Sequence, residues 1–179
     1  MTQTIIDYIT GKEIPDQGPE GSRQLFEKFL VQERGYTKTD VKVDHPITVT
    51  FQGAPYHSLV DIVVFCQGKP LMAVRCVAGS LASFEREILA AARLLYPGQI
   101  PFSVSTDGKD ALVRDVVSGK LWGTGLDAVF NKEEGLKRVE NFSYPPFPEN
   151  RKDREMIIFR SYDIERRHND CTNTHHDTQ

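Results

Sequence analysis

Residues 59–66, LVDIVVFC, and residues 71–77, LMAVRCV, are apolar on both faces, and each carries one charged residue, Asp61 and Arg75. Runs this short and this apolar read as strands buried on both sides, and the Gln67-Gly68-Lys69-Pro70 turn between them predicts a hairpin. A charge inside such a strand is costly unless it is paired or used. Asp61 and Arg75 are therefore the residues on which a functional reading turns. Strand side chains alternate with period two, so Asp61 is predicted to share a face with Leu59, Val63 and Phe65, and Arg75 with Ala73 and Val77. In adjacent strands the two charges would meet.

The flanking sequence supplies the rest of an α/β layer fold. In residues 21–34, Leu25, Phe26, Phe29 and Leu30 recur at helical spacing, and Gly35 ends the pattern. Val41, Val43, Ile47, Val49 and Phe51 alternate with polar residues as an extended segment. Further on, Ser83 offers an N-cap, with Glu85 and Glu87 in the first turn of a helix whose stripe is Phe84, Ile88, Ala91, Ala92 and Leu95, stopped by Pro97-Gly98. Three more β-like runs follow at 100–106, 111–116 and 121–122. This order predicts a central mixed β-sheet flanked by helices. The α/β domain is expected over residues 1–130, followed by a Pro-rich linker at 131–150. Residues 151–179 read as a charged extension with a frayed tail, whose patch Met156, Ile157, Ile158 and Phe159 suits docking as a helix or strand.

With 22 basic against 25 acidic side chains and a net charge of -3, the chain has no global field for a polyanion, so any DNA contact needs a local basic patch. Apolar stretches fall far short of a membrane span, and the amino terminus lacks both a basic and a long apolar segment, which makes the cytoplasm the expected location. Cys66, Cys76 and Cys171 have no CxxC spacing, against a disulfide framework; the first two read as buried thiols. His168, Cys171, His175 and His176 match no common zinc spacing and read as a polar terminus. Arg151, Lys152, Arg154, Arg160, Arg166 and Arg167 interleave with Asp153, Glu155, Asp163 and Glu165, the pattern of a solvated charged face.

EGSRQLFEKFLVQERGY, then SLVDIVVFCQGKPLMAVRCV, then REILAAARLLYPGQIPFSVSTDGKDALVRDVVSGK together resemble the PD-(D/E)XK nuclease superfamily, and within it the amino-terminal domain of type I restriction enzyme R subunits. The resemblance runs from about residue 19 to residue 130 and lies in the order of elements. It implies a restriction-endonuclease-like fold. Active members carry an Asp on one strand, an acid and a Lys two residues apart on the next, and often a Glu from the first helix. The carboxylates hold a divalent metal and the Lys positions the nucleophile.

Carried over, Asp61 takes the place of the metal-binding Asp and Glu20 that of the first-helix Glu. Arg75 falls on the second acid and Val77 on the Lys. A guanidinium beside Asp61 would stand where a metal belongs, and Val77 is unable to activate water. Glu87, with Glu85 as second choice, would be the source of a migrated acid; the simpler reading leaves both glutamates in solvent at the helix N-terminus, paired with Arg86 or Arg93. The resemblance thus implies a degenerate site of Asp61, Glu20, Glu87 and Arg75 that takes no cofactor, with Mg²⁺ only if the site is active. Its expected partners are DNA or other restriction and defence proteins, and no membrane. Two alternatives stay open: a protein-interaction or structural module, and an active Mg-dependent endonuclease with a migrated acid. In the degenerate case Asp61 and Arg75 form a buried structural ion pair.

Overall fold

The computed structural model describes residues 3–173. A short hairpin, β1 (Thr4–Ile6) with β2 (Glu13–Pro15), precedes helix α1 (Glu20–Gln32). The main sheet contains β3 (Val41–Phe51), β4 (Ala54–Cys66), β5 (Lys69–Cys76), β6 (Phe102–Thr106), β7 (Ala111–Asp115) and β8 (Leu121–Thr124). Helix α2 (Glu85–Leu94) connects β5 to β6, and α3 (Lys132–Asn141) and α4 (Glu149–Asn173) follow the sheet. The six strands lie in sequence order, and every pair is antiparallel except β5 with β6. That parallel pair needs a crossover, which α2 provides. The expected mixed sheet flanked by helices is what the chain forms.

The β4–β5 hairpin turns through Gln67 (φ 51°) and Gly68 (φ 73°), both left-handed as a two-residue turn of this kind requires. Two cores result, one on each face of the sheet. Phe26 and Leu30 of α1 and Val139 of α3 pack on Ile62, Val64, Met72 and Val74. On the other face, Ile88 and Ala91 of α2 and Phe159 of α4 pack on Val63 and Ala73. The apolar patch of residues 156–159 thus docks as a helix turn. Gly135 in α3 is a packing requirement, because a Cβ there would lie 2.7 Å from Leu71 Cδ2 and 2.9 Å from Cys66 Sγ. Residues 142–148 run along the body between α3 and α4, with the Tyr144 hydroxyl donating to the Pro70 carbonyl at 2.8 Å. Cys66 and Cys76 are buried free thiols, as expected. Of the His168, Cys171, His175 and His176 group, the last two lie outside the described residues. Among the described residues no helix is long and apolar enough to cross a membrane.

Three local expectations are corrected. Ser83 is not the cap: α2 begins after Phe84 and no side chain caps its first turn. The period-two rule does not run through Asp61. Asp44 (φ 50°) interrupts the β3–β4 register opposite Asp61, and the pleat changes face there. Val43 and Ile62 face the α1 side, whereas Ile47, Val49 and Val60 face α2 and α4. The third concerns charge: Glu155 and Asp163 of α4 are buried rather than solvated.

Candidate functional site

Arg75 is the largest fully buried side chain among the described residues. Its Nη1 donates to Asp61 Oδ1 at 2.7 Å, and its Nη2 donates to Glu87 Oε1 at 2.5 Å and to the Leu59 carbonyl at 3.1 Å. The second oxygen of Asp61 accepts the Cys76 backbone N–H at 2.7 Å. Burial opposes the charge of Arg75, but Asp61 and Glu87 together hold the guanidinium protonated. Burial likewise raises the Glu87 carboxyl, with Arg75 and Arg166 pulling against it. Glu87 is therefore an interior partner of Arg75, and its expected place in solvent is corrected. Glu85 instead pairs with Arg114 at 2.6 Å.

A second layer comes from α4, which the sequence did not single out. Asp163, Arg166 and Asp170 stand at helical spacing on its inner face. Arg166 Nη2 reaches Asp163 at 2.8 Å, Nη1 reaches Asp170 at 3.2 Å, and Nε lies 3.6 Å from Glu87. Asp163 also accepts the Tyr56 hydroxyl at 2.6 Å. Burial pushes its carboxyl up, but the Tyr56 and Arg166 contacts outweigh that and hold it below the ordinary range. The 163-166-170 spacing was the available signal, hidden because the segment alternates signs along its whole length.

Glu20 is the first residue of α1, and its carboxylate is clasped by Arg23. Arg23 also holds Asp44 at 2.7 Å and Asp7 at 3.2 Å, so α1, β3 and the amino-terminal hairpin meet on one guanidinium. Glu20 and Asp61 do line a common hollow of about 220 Å³, together with Asp44, Arg23, Arg166 and Asp170. Each of these carboxylates faces an arginine. A divalent cation does not fit this donor set: the guanidinium of Arg75 lies between Asp61 and Glu87, and Val77 is a buried apolar side chain whose N–H bonds the Thr106 carbonyl. Among the described residues no group of three or more His, Cys, Asp or Glu is arranged to hold a metal.

Beside this hub, Glu27 is fully buried with Arg23 Nε at 3.6 Å. Burial and the charge of Asp7 push its carboxyl up to about 8. An acid raised in the fold supports stability fully below its unfolded pKa of about 4.3, and that support is lost as pH rises through the folded value. The melting temperature is thus expected to fall between about pH 4.3 and 8, and Glu27→Gln to flatten the decline. Parallel pH profiles for wild type and variant would refute this assignment.

The mixed six-stranded sheet, the crossover helix and the ion pair of Asp61 with Arg75 on adjacent strands define a restriction-endonuclease-like α/β domain. The sequence matches the family described as type I restriction enzyme R protein N terminus over residues 18–129, and the chain belongs to that family. No curated protein and no solved structure gave a significant match.

Proposed function

We propose that this domain is a nuclease fold retired from catalysis, which binds DNA without cutting it within a restriction or defence assembly. The observation that carries the reading is the buried Arg75 clasp on Asp61 and Glu87, which uses the acids a metal would need. Fold alone does not carry activity, and Val77 supplies nothing in place of the Lys.

The DNA-binding part rests on how α4 divides its charges. Glu155 and Asp163 are buried, while Arg151, Lys152, Arg154 and Arg167 stay exposed; Lys152 lies 3.8 Å from exposed Glu149, Arg167 lies 3.2 Å from Asp163, and Asp153 and Glu165 are exposed alongside them. Arg160 lies over the Phe51 ring at 3.8 Å. Arg151 and Arg154 are left as exposed cations with no carboxylate partner among the described residues, the local basic patch that a DNA contact needs.

The test joins two measurements on the full chain. With Mg²⁺ or Mn²⁺, plasmid DNA is expected to stay intact. Duplex DNA is expected to bind with an affinity that falls as about the third to fourth power of salt, as for about four phosphate contacts. The double variant Arg151→Glu/Arg154→Glu should weaken that binding. A metal-dependent cut that Asp61→Ala abolishes would overturn the retired site, and no binding at low salt would overturn the DNA role.

A further inference from the structure

On the opposite side of the sheet from Arg75, a hollow of about 340 Å³ opens between the start of β6, strand β8 and α3, lined by Phe102, Asp115, Trp122, Lys137, Arg138 and Phe142. Its volume lies within the range of small-ligand sites. Trp122 is the chain's sole tryptophan, and it stands 44% exposed on the edge strand of the sheet. The ring is held by a buried aromatic base: Phe102 lies 5.3 Å from it edge-on, Phe130 lies 5.7 Å away, and these two phenylalanines are 4.5 Å apart. An exposed tryptophan fixed in this way offers a rigid surface for stacking at little entropic cost.

The charge over that surface is unspent. The Arg138 guanidinium lies 4.6 Å from the Trp122 ring centre and 5.3 Å from that of Phe130. Among the described residues it has no carboxylate partner. Lys137 stands beside it, tied only to exposed Glu133 at 3.1 Å. Asp115 uses Oδ1 on the Ser118 N–H and hydroxyl. The Arg138 guanidinium plane laid over Trp122, with the single further cation Lys137 at the rim, suits a flat, unsaturated ligand that carries negative charge. An apolar ligand would waste the cations, and a bare anion would waste the rings.

We infer that this hollow binds a single nucleotide unit, its base stacked against Trp122 and Arg138 and its phosphate met by Lys137 and Arg138. The same chemistry is offered by a free nucleotide and by an unpaired base of a single strand. The site is independent of the Arg75 centre and of the basic patch on α4, so neither reading depends on the other.

Trp122 reports its own occupancy. Intrinsic fluorescence of the full chain is expected to be quenched saturably by adenosine monophosphate, by a short oligo(dT), or by both, and not by inorganic phosphate. Quenching by the mononucleotide alone assigns a free nucleotide, and quenching by the oligonucleotide assigns a stranded base. Arg138→Gln lies on the surface and should leave the protein folded, with a melting temperature lowered only slightly by the lost ring contacts, while weakening binding by about tenfold or more. Absence of saturable quenching by either probe, equal quenching by phosphate, or an affinity unaltered in Arg138→Gln would overturn the inference.

Discussion

Replacing Arg75 by methionine is expected to lower the stability of the fold by about 3–5 kcal/mol, read as a large fall in the urea midpoint. The cause is what remains behind. Glu87 is fully buried, its only close cations among the described residues are Arg75 and Arg166, and the nearer of these would be gone. A small domain is stable by about 5–15 kcal/mol, so the loss is a large fraction of the total. Glu87→Leu alone leaves the buried guanidinium with Asp61 as its remaining carboxylate and is expected to cost less than Arg75→Met. The double variant Arg75→Met/Glu87→Leu removes both charges and is expected to be less destabilised than the sum of the single changes by about 2 kcal/mol. An Arg75→Met protein within about 0.5 kcal/mol of wild type, or strict additivity of the pair, would show that the clasp is not what holds this part of the sheet to α2.

The second large effect concerns α4. The Glu155 carboxylate accepts from Arg86 at 2.7 and 2.8 Å and from Arg93 at 3.0 Å. Arg93 is buried, donates to the Val116 carbonyl at 3.1 Å and lies against the Phe147 ring. Glu155→Ala leaves that guanidinium inside the α2–α4 contact without a counter-charge, at a cost of about 3 kcal/mol. Limited proteolysis is expected to cut first within α4. The same carboxylate sets an acid limb: burial raises it, but the two arginines outweigh burial and hold it below its ordinary value. Its contribution is present above the unfolded pKa of about 4.3 and is lost as pH falls through the lower, folded value. Glu155→Gln should weaken the folded state near neutral pH and flatten the acid limb. A variant whose acid unfolding follows that of wild type would place the limb elsewhere.

Much of the fold was legible from local pattern. The double-faced apolar runs around Asp61 and Arg75, the stripe Phe26, Phe29 and Leu30, and the turn at Gln67-Gly68 each report one element, and their order reports the layers. The short β1–β2 hairpin was not legible, because three-residue strands carry no periodicity. Nor was the change of face at Asp61, which arises from the left-handed backbone of Asp44 on the neighbouring strand. Glu87 was read as solvent-facing because a first-turn acid on a helix satisfies the dipole equally well exposed or buried. What made it interior was Arg75, fourteen residues from Asp61 and twelve from Glu87.

Alone, the sequence determined that two doubly apolar runs joined by a turn carry one charge each, Asp61 and Arg75, that must be paired or used; that Arg75 and Val77 take the places of an acid and a Lys was implied only by the resemblance to nucleases of this fold. The first of these depends on residue type and apolar pattern, which are local properties. Tertiary structure decided how the charges are used: Arg75 joins β4, β5 and α2, Arg166 brings α4 onto the same centre, and Glu155 and Asp163 are buried against arginines rather than solvated. Charge pairing is a matter of distance and burial between elements far apart in the chain, and composition or spacing along the chain carries neither.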